Sequence, residues 1–283
     1  MKHLGIKNFG PIKDGFPDGL MPIYPITIIC GDQGTGKSTI AKLISLFNWM
    51  EKAFVRGEFL VNKITEKEAF LKKQCEFHRI NNYFRPDTYL HFQGEQYDFF
   101  YQNGQFTIQQ KNEGEEYLMP KIAYIPAERS FLSVVEHPEI LKEIPESLFS
   151  HFSEFDKARK ENRQLCPLPI EGYYYQYDRL NNASWLVGDS FRVKVSESAS
   201  GFQSMIPLCL VSQYTTDLIN SKSGSQLSLF ALNKIEKRAE EILADDTINE
   251  ETRKLLISRL SKLNRYNRSV IIIEEPEQNI FPL

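Results

Sequence analysis

Apolar positions alternate with polar ones through residues 87–111, in Tyr89–Gln93, Tyr97–Tyr101 and Gln105–Ile108. Gly94-Glu95 and Asn103-Gly104 punctuate the run as turns, so it predicts antiparallel strands joined by hairpins. A second rhythm is the unbroken apolar run. Val270–Ile273 has the pattern of a strand buried on both faces, as in a parallel sheet, and Ile26–Cys30 and 121–126 also read as strands. Helical spacing follows Ile26–Cys30 over Thr39–Met50 and continues, more charged, through 51–83. Residues 131–165 read as mostly helical until Pro167 and Pro169 break the run, and 173–195 reads as extended. A helix is expected from Gly201 to about Asn220, then a flexible turn at Ser221–Ser225. Residues 226–266 suggest a helical pair connected at 245–249, with Thr247 or Asn249 as its cap. No internal repeat is present.

The junction of the first apolar run with the first helix carries chemistry. Residues 31–38 read Gly-Asp-Gln-Gly-Thr-Gly-Lys-Ser, the full phosphate-loop pattern G-x-x-x-x-G-K-[ST]. Glycines let main-chain N–H groups curl around phosphates, and the N-terminus of the following helix faces the negative charge. Gly31, Gln33, Gly34, Thr35, Gly36, Lys37, Ser38 and Thr39 are therefore the binding candidates, with Lys37 reaching the β- and γ-phosphates and Ser38 holding Mg²⁺. The late apolar run ends in Glu274-Glu275-Pro276, acids at the carboxyl end of a strand, where ligands of open α/β sheets bind. Glu274 would face the Mg²⁺ shell and Glu275 would orient the attacking water. Ordinary solvated acids after a buried strand are the plainer alternative. A third element, Ser200-Gly-Phe-Gln203, reads as a capped helix N-terminus, able to hold phosphate but equally a simple cap.

In this order, the phosphate loop, the Ser-Gly-x-Gln element and the apolar-Glu-Glu-Pro strand resemble the heads of ABC-type ATPases. The nearest likeness is to the soluble branch that includes the SMC, RecF-like and overcoming-lysogenization-defect ATPases. Leu4–Ile12 and Lys121–Arg129 fit the same pattern, which covers 1–50, 121–130, 190–212 and 268–283. The resemblance implies that Ser200, Gly201 and Gln203 of one chain complete the ATP site at Lys37 of a second, a homodimer closed around two Mg-ATP. It implies use in DNA maintenance or defence against phage and plasmids, beside a nuclease or other effector. Where transporters carry a Gln, this chain has Glu128 and Arg129, so Arg129 either touches the γ-phosphate or pairs with an acid. Ala199 before the serine and Phe202 in place of a second glycine also depart from the transporter form. In that family the acidic strand is followed by a helix, another strand and a γ-phosphate-sensing histidine. None of the five histidines (His3, His78, His91, His137, His151) stands in that order, and the chain reads as a head without this last segment. Adenine recognition has only positional candidates, Asn8 and Lys13.

The fold expected from these readings is α/β: a P-loop NTPase with a mainly parallel core sheet, an antiparallel β subdomain and a helical lobe. Its units would be an ATP-binding core with the hairpin insert (1–130), a helical lobe with the Ser-Gly-x-Gln element (131–220), and a helical pair returning through the acidic strand (221–283). An ATPase is the leading reading. A nucleotide-gated binding module that hydrolyses poorly is the alternative. A GTPase fits badly, because Asn233–Glu236 carries Glu where a guanine-reading element has Asp and no D-x-x-G follows the phosphate loop. A small-molecule kinase would leave the late acids and the 198–204 element unexplained.

Composition narrows the setting. The 283 residues are 41% hydrophobic and 25% charged, ordinary for a globular chain. No apolar window of about twenty residues predicts a membrane span, and Met1–Gly5 lacks the apolar core of a secretory signal. The four cysteines (Cys30, Cys75, Cys166, Cys209) show no metal spacing, so a reducing cytoplasm is the simple reading. Cys30 and Cys209 sit in apolar runs and read as buried small residues. A net charge of −3 argues against an overall nucleic-acid footprint. The basic groups at 63–85 and 157–163 are interleaved with acids, as solvated helix faces are.

Overall fold

The computed structural model describes all residues except 65, 112–116, 136–142, 163, 221–238, 241–242, 245–248, 255–264 and 280–283. The protein is α/β. Its strands are β1 (Lys2–Phe9), β2 (Met21–Ile23), β3 (Phe84–Gln93), β4 (Tyr97–Gln102), β5 (Gln105–Gln110), β6 (Pro120–Ile125), β7 (Cys166–Pro167), β8 (Tyr174–Asp178), β9 (Ala183–Val187), β10 (Arg192–Lys194) and β11 (Arg268–Ile273). Its main helices are α1 (Lys37–Val55), α2 (Lys67–Glu76), α3 (Phe131–Val134), α4 (Glu146–Glu161) and α5 (Ser200–Asn220).

The alternating segment 87–111 forms β3, β4 and β5, with both turns where the sequence places them. These strands join β1 and β2 in one antiparallel sheet of order β2-β1-β3-β4-β5. Alternation sends Leu90, Phe92, Tyr97, Phe99, Phe106 and Ile108 into a core with Leu4, Ile6 and Phe9 of β1. Helix α1 closes that core. Phe47 stacks on Phe92 at 5.2 Å and on Phe99 at 5.8 Å between ring centroids. Such aromatic pairs are worth about 0.5–1.5 kcal/mol beyond area burial. A buried ion pair ties the same elements. Lys2 Nζ donates to Glu51 Oε2 and Asn48 Oδ1, 2.7 Å each, while Glu51 Oε1 accepts from Gln96 N at 2.8 Å.

A second core gathers α4 and α5 with the antiparallel sheet β10-β9-β8-β7. Tyr175, Leu186, Phe155 and Ile206 are among its buried residues. Between the two cores runs the pair β6–β11, parallel as expected, in register from Arg268↔Pro120 to Ile273↔Ile125. Successive residues of β11 serve opposite cores: Ile271 packs on the second and Ile272 on the first.

The expected mainly parallel sheet is not what the described residues form. Parallel pairing is confined to β6–β11, and the larger sheets are antiparallel. Ile26–Cys30, expected as a strand, belongs to no sheet, and Ile26 and Ile28 are 83% and 82% exposed. Locally, Thr27 closes a turn after β2, accepting from Tyr24 N at 3.0 Å and donating to Tyr24 O at 3.1 Å. A cavity of about 1560 Å³ separates this segment from β11. Among the described residues nothing therefore pairs the edge of β11 opposite β6, and Ser269 and Ile273 are exposed instead of buried on both faces. Cys30 is exposed with this segment and Cys209 is only half-buried, against the expectation of two buried thiols.

The helix expected from Gly201 to about Asn220 is present as α5. Most of the suggested helical pair at 226–266, the turn at 221–225, Thr247 and Asn233–Glu236 lie outside the described residues. Asn249 is described and does cap, its Oδ1 accepting from Thr252 N at 2.8 Å. Among the described residues no helix is long and apolar enough to cross a membrane.

Candidate nucleotide site

Residues 31–36 link the exposed segment 26–30 to α1, whose first residue is Lys37. Gly36, the N-cap, has φ 101°, a left-handed conformation that glycine adopts without strain. A Cβ there would also lie 2.5 Å from Ile12 Cγ1. The residue is held by the turn after β1, a support that the motif alone does not reveal. No side chain caps α1 and no acid stands in its first turn, which leaves orphan N–H groups at a positive helix end. Lys37 Nζ donates to the carbonyls of Gly31 and Asp32, 2.8 Å each, so the ammonium lies across the loop. Thr35 Oγ1 donates to Asp32 O at 2.8 Å and stiffens the same turn.

The large cavity brings the two principal motifs together. Gly31, Gln33, Gly34, Gly36, Lys37, Ser38 and Thr39 line it on one side, Glu274 and Glu275 on the other. Glu274 is 7% exposed, and among the described residues its buried Oε1 has no hydrogen-bond partner. Leaving a carboxylate oxygen so is costly, and a cation bound at Glu274 would satisfy it. Glu274 could thus ligate a cation, and Ser38 lines the opposite side of the same cavity. Tyr124, absent from the sequence-derived candidates, lies beside this acid. Burial first, then the Glu274 carboxylate, push its phenol well above the ordinary range. It stays neutral and adds no second negative charge beside Glu274.

Glu275 is exposed at the cavity wall with φ 44°. A non-glycine residue in that region carries about 1–2 kcal/mol of strain. Arg129 holds it there. This arginine is 0% exposed, and its four bonds all run to main-chain carbonyls: Nη1 to Glu274 O at 2.7 Å and Pro126 O at 3.3 Å, Nη2 to Glu275 O at 2.6 Å, and Nε to Ser204 O at 3.2 Å. Hydrogen bonds to a charged group contribute about 1.5–3 kcal/mol each, enough to offset the strain at Glu275. Arg129 does not line the cavity. The guanidinium is spent on the main chain, which is neither the γ-phosphate contact nor the acid pair weighed from sequence.

The third motif adjoins the acid turn from outside the cavity. Ser200, Gly201 and Gln203 do not line the cavity. Ser200 is exposed as the first residue of α5. Gly201 abuts the acid turn, since a Cβ there would lie 2.8 Å from Asn279 O. Gln203 Nε2 donates to Ser196 O at 3.0 Å and Ser198 O at 2.9 Å, bracing the loop that leads into α5. Phe202 turns inward against Tyr173, with centroids 4.8 Å apart. Pro207, inside α5, cannot donate to the carbonyl of Gln203, and Ser133 Oγ supplies that bond at 2.7 Å. Asn8, a positional candidate for adenine, is bonded to Asp87 Oδ2 at 2.7 Å on the exposed side of β1.

Several cations of the basic groups are paired with acids of the same helix. Lys157 pairs with Glu154, Arg159 and Lys160 pair with Asp156, and Lys72 pairs with Glu68. Comparison of the chain with protein-family models, with curated proteins and with solved structures finds no match.

Proposed function

We propose that the protein is an ATP-binding, ATP-hydrolysing head of ABC type that dimerises around two nucleotides. The observation that carries this reading is the shared cavity: a complete phosphate loop faces two acids at the end of a parallel strand. Within it, the α1 N-terminus and Lys37 bind and orient the phosphates. Ser38 and Glu274 would hold Mg²⁺, which when bound supplies charge neutralisation at the β- and γ-phosphates. Glu275 orients the water for in-line attack and takes up its proton. The 1560 Å³ volume exceeds the roughly 300–1,000 Å³ of ordinary ligand pockets, so a nucleotide fills only part of it. Ser200 is exposed and outside its own chain's cavity, which favours engagement of nucleotide held by a second copy. The biological setting inferred from the resemblance is DNA maintenance or defence, with a nuclease or other effector as partner.

Calorimetric binding and steady-state hydrolysis of Mg·ATP test this reading. Lys37→Ala should abolish binding. Glu275→Gln should retain binding and lose hydrolysis by about 10²–10⁴-fold. Unchanged turnover in Glu275→Gln would remove that residue from the chemistry. Tight binding with no wild-type hydrolysis would leave the nucleotide-gated module.

A further inference from the structure

We infer that Arg129 is a positioning residue: it seats Glu275 and ties that seat to the start of α5, so that displacement of Ser200–Gln203 displaces Glu275. The inference rests on the reading of Glu275 given above and adds a means of regulation to the same site. Three contacts converge on it. Arg129 reaches the carbonyls of Glu274 and Glu275 with two nitrogens and the α5 carbonyl of Ser204 with the third. One rigid planar group thus spans chain positions 75 and 145 residues away from it. On the far side of the acid turn, Gly201 allows Asn279 O an approach that any Cβ would block. Ser133, in the helix that follows Arg129, holds the carbonyl of Gln203.

The consequence is mechanical. Glu275 sits at φ 44°, a conformation that persists only where its surroundings impose it. Arg129 imposes it through the very group that also grips α5. A second chain docking on Ser200 would therefore act on Glu275 through the arginine, with no contact of its own to the acid. Phosphate binding at Lys37 uses a different wall of the cavity and, measured without Mg²⁺, should be indifferent to Arg129.

Arg129→Lys and Arg129→Met, set beside wild type, test the tie. Three readouts are needed: affinity for ATP without Mg²⁺, the split of kcat from KM with Mg²⁺, and amide hydrogen exchange of segments 199–206 and 268–279 without nucleotide. In Arg129→Met both segments should exchange about tenfold faster, together, while β1 and α1 keep wild-type protection. ATP affinity should stay within about threefold and kcat should fall by about tenfold or more, a loss confined to the chemical step. Arg129→Lys, which keeps the charge but not the fork, should fall between, and it carries the test if the methionine variant does not fold. Unchanged exchange in 268–279, or loosening of one segment without the other, would overturn the tie. Loss of ATP affinity equal to the loss of kcat would make Arg129 merely structural. Should wild type hydrolyse no ATP, the catalytic reading of Glu275 fails separately, and exchange alone decides whether Arg129 joins the two segments.

Discussion

At the scale of single residues, the site depends on a few backbone conformations as much as on side chains. Gly36→Ala would force a Cβ against Ile12 at φ 101°, so it should weaken Mg·ATP binding and destabilise the fold by about 1–3 kcal/mol, read by calorimetry and urea unfolding. Glu275→Gly makes the opposite case. Glycine adopts φ 44° freely, so stability should hold or rise by up to about 1 kcal/mol while hydrolysis is lost. A drop in stability would show that the carboxylate, not the conformation, maintains the turn. Lys37, Ser38, Glu274 and Glu275 could be proposed from the sequence because motifs of local spacing name them, and the structure places all four on one cavity. Arg129 was legible only as a position. Its partners are carbonyls brought close by folding, and carbonyls leave no mark in a sequence.

At the scale of elements, α5 is stabilised across a defect. Pro207 leaves the carbonyl of Gln203 without its helical donor, and Ser133 replaces it. Ser133→Ala should therefore cost about 1–3 kcal/mol by stranding that carbonyl. In a Pro207→Ala background the new N–H can bond to it, and the same change should cost at least about 0.5 kcal/mol less. Additive effects in the double-mutant cycle would refute the substitution of one donor for another. The hairpins β3–β5 were readable because alternation and Gly turns act over a few residues. The run Ile26–Cys30 was misread as a paired strand for the converse reason. An apolar run states a preference for burial, but a strand exists only where a neighbour supplies a ladder, and here a cavity lies in that place.

At the scale of the molecule, two cores meet across β6 and β11, and His78 and His151 are buried with ring nitrogens that find no hydrogen-bond partner among the described residues. Burial is the main reason that both imidazoles are pushed down to about 3, aided at His78 by Lys42 and at His151 by Arg129, with Glu154 opposing. Below their ordinary value of 6.5, the unfolded chain takes up protons at both positions that the folded chain refuses. Stability should accordingly fall from pH 6.5 toward 3, by about 1.4 kcal/mol per pH unit for each histidine once well below 6.5. Urea midpoints between pH 4 and 7 would check this, with the slope reduced by one proton in His151→Phe. The division into an antiparallel β unit and a helical unit could be read from the change of rhythm along the chain, but not the sheet that β1 shares with β3, a pairing across most of the first core. In the proposed assembly the α5 N-terminus of one copy closes the nucleotide site of another. That closure is tested most directly by the mass in solution of Glu275→Gln with and without Mg·ATP. Conversion to a dimer by Mg·ATP, lost on adding Ser200→Arg, is the predicted result; a monomer that binds ATP through Lys37 without changing mass would contradict it.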